Sequence, residues 1–127
     1  MYTLTLTEDQ ARALSNAAEL VTRLHMGQLD CLRDFNKYPN DNLDEIYRRL
    51  DELRELMGLI PPGCGKNAFY GITSSEIPNT SRTLFDIHQV IRHEIWKNQE
   101  DAPNYITHAS PAMQTDHTQL LPTIESK

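Results

Sequence analysis

The sequence predicts an α+β fold, with three helices, two of them long, packed on a small antiparallel β-sheet in a homo-oligomer. Three observations predict it. The opening "YTLTLT" alternates strictly, apolar residues recur at three- and four-residue steps through three longer segments, and several short runs between them read as β-like.

In "YTLTLT", Tyr2, Leu4 and Leu6 fall on one side and Thr3, Thr5 and Thr7 on the other, the period of a half-buried strand. Thr7, with Gln10 three residues later, predicts a capping box that opens a long helix over about residues 8 to 35. Leu14, Ala17, Val21, Leu24, Leu32 and Phe35 trace its core stripe. "NKYPNDN" ends that helix through Pro39 and turn formers. A second helix starts near Asn42 with Glu45 placed for another capping box, and Leu43, Ile46, Leu50, Leu53 and Met57 give it a seam for another long helix.

"GLIPPGCGKN" stops the second helix at Gly58 and Pro61. A third, capped by Asn79 or Thr80, runs to about Asn98, with Leu84, Ile87, Ile91 and Ile95 on one stripe and Phe85, His88, Arg92 and Trp96 on the next. "AFYGIT", "YITHAS" and "LLPTI" are the candidate partners of the N-terminal strand. Residues 1–108 are expected to form a single ligand-binding domain, and residues 109–127, rich in Pro, Thr, Ser and Gln, a C-terminal arm or tail.

A net charge of −6 over 127 residues and a pI near 5.2 argue against DNA or an anionic membrane as partner, since both select basic patches. Cys31 and Cys64 suggest neither a disulfide framework nor a zinc site. The opening stretch lacks a basic region and an apolar run, and no stretch reaches 18 apolar residues, so a cytoplasmic protein is expected.

"GLIPPGCGK" fails the phosphate-loop pattern, because Cys64 stands where lysine is needed and no Ser or Thr follows Lys66. His88 and His93 lie about 140° apart around a helix and do not share a face as metal ligands would. Asp51, Glu52 and Glu55 in "DELRE" resemble the magnesium steps of all-helical nucleotide pyrophosphohydrolases, but the third helix offers only Asp86 and Glu94, without a tight pair. Pairing with Arg48, Arg49 and Arg54 on a solvated face is the plainer reading. No nucleophile motif is present, and neither a metal nor a cofactor is expected.

Other residues suit nucleotide binding. Gly27 costs a helix about 1 kcal/mol relative to alanine, so it implies close approach of another group, and Gln28 beside it carries an amide that needs partners. Phe69 and Tyr70 offer aromatic faces for a base, stacking worth about 1 to 3 kcal/mol each. Arg92, set among aromatic rings with His88 and His93 as neighbouring donors, requires a counterion, either a carboxylate of the chain or a ligand phosphate.

Taken in order, "LTLT" before a Gln-containing helix start, "RLHMGQ", "FYGI" and "FDIHQVIRHEIW" resemble a family of small phage proteins over about residues 3 to 96. That family is similar to the first-described class of Thoeris anti-defence proteins, phage sponges for immune signals. The resemblance implies a non-enzymatic protein that sequesters glycocyclic ADP-ribose intact in the cytoplasm of the infected host. It implies sites between subunits in a dimer or hexamer, with separate sites for cyclic di- or trinucleotides of CBASS defence. On that resemblance Arg23 and Arg92 contact the pyrophosphate, Tyr70 stacks on adenine, Asn79 lies nearby, and Arg48, Arg49 and Arg54 are candidates for the second site. "RLH" stands where "RIG" is commoner, which places His25 beside the ligand. Two other classes remain. A magnesium-dependent pyrophosphohydrolase would use Asp51, Glu52 and Glu55, and an inhibitor of a host enzyme would bind protein through the second-helix seam.

Overall fold

A computed structural model describes residues 1–38, 41–104 and 106–127. Pro39, the expected helix breaker, and Tyr105 of "YITHAS" lie outside the described residues. The elements are α1 (Glu8–His25), a 3-10 helix (Leu29–Phe35), α2 (Leu43–Leu56), α3 (Asn79–Lys97) and a single helical turn, α4 (Ile106–Ala109).

The expected α+β class is corrected to all-helical, because no strand occurs among the described residues. Alternation alone did not make "YTLTLT" a strand, since none of its candidate partners offers an extended backbone among the described residues. In "AFYGIT" the Ala68 amide donates to Gly65 O and the Tyr70 amide to Met26 O, while "YITHAS" enters α4 and "LLPTI" is irregular around Pro122. Residues 1–5 are exposed.

α1 begins as its sequence predicts. Thr7 Oγ1 accepts from the Gln10 amide at 3.2 Å and Gln10 Oε1 from the Thr7 amide at 2.9 Å, a complete capping box. It ends ten residues sooner than the expected Phe35, at His25. There the Gln28 amide donates to Arg23 O at 2.9 Å and the Gly27 amide to Leu24 O at 3.1 Å, a Schellman motif with Gly27 at φ +87°. α2 repeats the device, with Leu59 donating to Arg54 O at 2.8 Å, Gly58 to Glu55 O at 3.2 Å, and Gly58 at φ +69°. Both ends read Arg-x-x-Met-Gly. The two caps interlock, since a Cβ on Gly27 would collide with Leu59 O. The start of α2 has no capping box: Asn42 adopts a left-handed φ of 56° and caps nothing, while Glu45 pairs with Arg48 and Arg49.

α1 packs on α3 through a different stripe from the one its leucines suggest. Ala11, Ser15, Ala18 and Thr22 are buried, whereas Leu14 and Val21 are exposed. Small side chains let the two backbones approach closely, and hydroxyls then pair across the seam. Thr22 Oγ1 donates to Ser81 O at 3.2 Å, and Ser81 Oγ lies 2.6 Å from His25 Nδ1. The residues after α4 return along α3, where Gln89 pairs with both backbone groups of Met113. Asp86, buried, accepts from the Thr115 amide at 2.9 Å, Thr115 Oγ1 at 2.6 Å and the Asp116 amide at 2.9 Å. Among the described residues no helix is long and apolar enough to cross a membrane.

Candidate functional site

Two clefts hold the polar residues of interest. The first, about 550 Å³, opens where the end of α1 meets α2 and the 66–70 loop; Arg23, Gln28, Asp30, Tyr47, Arg54 and Phe69 are among its lining residues. The second, about 370 Å³, lies between α1 and α3 beside Pro103; Ser15, Glu19, His88, Arg92, Trp96 and His108 are among those lining it.

The first cleft is largely occupied by the protein's own bonds. Arg54 is buried and donates to Lys66 O and Ala68 O, which pins the loop to α2, with Asp51 at 3.6 Å. Arg23 forks onto Glu19 Oε1 through Nε at 3.0 Å and Nη2 at 2.7 Å, and its Nη1 reaches Gln28 Oε1 at 2.8 Å. The Gln28 amide group thus has a partner within the chain. Phe69 is half exposed at the rim.

Arg54 and Arg92 both carry a buried Nε without a partner, but Arg54 has Asp51 at 3.6 Å, whereas among the described residues no carboxylate lies within ion-pair distance of Arg92. Arg12, also in the α1–α3 lining, is forked onto Glu8. Arg92 Nη2 donates to Thr107 O at 2.7 Å, Nη1 lies 3.3 Å from His88 Nε2, and Nε is buried without a partner. A guanidinium can only donate, so His88 Nε2 must accept and Nδ1 must carry the proton. That proton points to Ser15, whose Oγ lies 2.8 Å and O 3.1 Å from Nδ1. Burial, aided by the Arg92 and Arg23 charges, lowers the His88 pKa against the opposing pull of Glu19, which keeps the ring neutral. Burial likewise lowers the Arg92 pKa, with Glu19 acting the other way.

Glu19 joins the two clefts: Oε1 is held by Arg23 and Oε2 lies 3.9 Å from His88 Nε2. Burial raises its pKa, but the Arg23 hydrogen bond and the charges of Arg23 and Arg92 outweigh that, and the carboxyl sits below its ordinary range. The aromatic rim is Trp96, whose indole donates to Pro103 O at 2.6 Å and whose ring stacks on His93 at 5.9 Å. His93 Nδ1 also meets His108 O at 2.9 Å.

Comparison with protein families, curated proteins and solved structures finds no match.

Of the residues singled out by sequence, His88 and Arg92 share the α1–α3 cleft with His93 behind its rim, and Arg23, Gln28, Arg54 and Phe69 share the other. Tyr70 and Asn79 line neither. Tyr70 lies across both helix caps, amide to Met26 O at 2.9 Å and hydroxyl to Gly58 O at 3.5 Å, while Asn79 Nδ2 ties Asp116 at 3.2 Å and Thr118 at 3.1 Å. Arg48 and Arg49 are exposed and paired with Glu45 and Glu52. Sequence reasoning missed Glu19 and Trp96 as cleft residues. The signal for Glu19 was there: Arg12, Ser15, Glu19 and Arg23 recur at helical steps and define one polar stripe of α1.

Proposed function

We propose that this chain is a phage anti-defence sponge, a non-enzymatic protein that captures a cyclic ADP-ribose-type signal in the α1–α3 cleft and holds it intact. The observation that carries the reading is Arg92: a partly buried guanidinium with an unpartnered buried Nε, whose Nη atoms contact neutral acceptors beside an aromatic rim. A pyrophosphate offers that cation the charged acceptors it lacks, and Trp96 offers a face for adenine. The cleft volume of about 370 Å³ lies in the range of small-molecule sites. Glycocyclic ADP-ribose in the host cytoplasm is the proposed signal, bound by a homo-oligomer. Arg48 and Arg49, exposed on α2, are the side chains proposed for cyclic oligonucleotides.

The test is calorimetric titration of the purified protein with cyclic ADP-ribose isomers and cyclic di- and trinucleotides, followed by heat denaturation and chromatography of the released ligand. Tight binding with unchanged nucleotide is the expected result, and an altered product would make the protein an enzyme. Against the magnesium reading, Glu52 is bonded to Arg48 and Arg49, Asp51 lies near Arg54 and Glu55 near Lys66, and no metal-holding group of three occurs among the described residues. The protein-inhibitor reading has one observation in its favour, the exposed Leu53, Leu56 and Met57 on α2. It predicts no nucleotide binding and loss of inhibition when Leu56 is replaced by Glu.

A further inference from the structure

A cleft that only attracted anions would fill with the most highly charged nucleotides in a cell, the nucleoside triphosphates. The α1–α3 cleft carries a carboxylate that works against this. Glu19 is fixed by the two-pronged Arg23 fork on Oε1, so Oε2 is left on the cleft side, 3.9 Å from His88 Nε2. Its field reaches Arg92, whose protonated form it favours. Arg12, another cation of the lining, is tied to Glu8 at 2.6 Å. The charges acting in the cleft are therefore those of Arg92 and of Glu19, the latter weakened by Arg23 behind it.

We propose that Glu19 is the specificity-determining residue of this cleft, admitting nucleotides whose phosphates are all diesters and rejecting those with a terminal phosphate. The inference rests on the reading of the cleft as a nucleotide site. A phosphodiester carries a single charge, whereas a terminal phosphate carries about two near neutral pH. Arg92 can satisfy the first kind beside Glu19. The second kind brings additional negative charge against a carboxylate tethered by the Arg23 fork, and like charges in a partly dry site repel more strongly than in water. The same Oε2 can accept from a ribose hydroxyl, a contact that diester and terminal-phosphate nucleotides both offer, so discrimination falls on charge. The overall charge of −6 acts in the same sense at longer range.

The experiment is titration of the full chain with cyclic ADP-ribose, as its N1-linked and ribose-linked isomers, and with ATP, at two salt concentrations. The parent is expected to prefer a cyclic isomer. Glu19→Gln should raise ATP affinity by about tenfold or more and make it more salt-sensitive, while Glu19→Asp, which keeps the charge, preserves the preference. Should Glu19→Gln fail to fold, the swap Glu19→Arg with Arg23→Glu keeps the ion pair but reverses the charge on the cleft side, and it should turn the preference toward ATP. A ratio unmoved in the folded variant overturns the role of Glu19 and leaves the nucleotide reading intact. A parent that binds none of these nucleotides overturns both.

Discussion

At the scale of the residue, three positions bear the argument. Arg92→Ala should weaken nucleotide binding by about 10- to 100-fold or more, since hydrogen bonds to a charged group contribute about 1.5 to 3 kcal/mol each. Its melting temperature should change little, because the fold takes from Arg92 only the bonds to Thr107 and His88; unfolding of the variant would instead make Arg92 a structural group. His88 gives a pH dependence with a defined sign. Its folded pKa lies below the ordinary value of about 6.5, so the unfolded chain binds the proton more readily. The stability due to the neutral ring is fully present above that value and is lost as pH falls from it through the lower folded pKa. Urea unfolding across pH 4.5 to 8 should show this slope, and His88→Gln should flatten it. Gly27→Ala should cost about 1 to 3 kcal/mol by denaturant titration, through its positive φ and the collision with Leu59 O.

At the scale of the element, the legible features were those decided within a few residues. The Thr7–Gln10 capping box, the end of α3 to within a residue and the helical period of α2 follow from local pattern, whereas α3 starts earlier than expected, with Pro78 and neither Asn79 nor Thr80 at its N-cap. The end of α1 was misread because Gly27 was weighed as a tolerated helix residue, although Met-Gly is followed by a backbone turn that only a positive φ allows. The strands were misread for the opposite reason, since pairing depends on partners that lie far away in sequence. The return of residues 113–119 along α3 was equally hidden, as it is fastened by Asp86, Gln89 and Asn79 rather than by an apolar stripe. Asp116 shows how tightly: Thr118 and Thr83 hydrogen bonds hold its carboxyl far below the usual range. Asp86→Ala should leave the Thr115 and Asp116 amides unpaired, destabilise the protein by about 1 to 3 kcal/mol and speed proteolysis or hydrogen exchange in residues 113–119.

At the scale of the whole molecule, the apolar core is meagre. Among the described residues Ala11, Ala18, Leu29, Ile77 and Ile91 are the buried apolar ones, against thirteen large hydrophobic residues that are exposed, including Leu14, Val21, Leu53 and Met57. Patches of that kind mark interaction surfaces, and self-association is the simplest way to cover them. Sedimentation should therefore find a species larger than the 14.6 kDa chain, and Val21→Glu with Leu53→Glu should reduce it toward monomer. The candidate site was half legible at this scale. Arg23 and Arg92 were identified from their segments, but which cleft each enters depends on the register of α1 against α3, and that register is set by Ser15, Ala18 and Thr22 rather than by the leucines.

Trp96 is the chain's one tryptophan, and it stands on the rim of the cleft with His93 against its ring. The protein thereby carries its own optical probe. Excited selectively, the indole would report occupancy as a change in emission intensity or colour without any label, on the stopped-flow timescale as readily as at equilibrium. Because the chain holds no second indole, any such change reports on the surroundings of Trp96 alone.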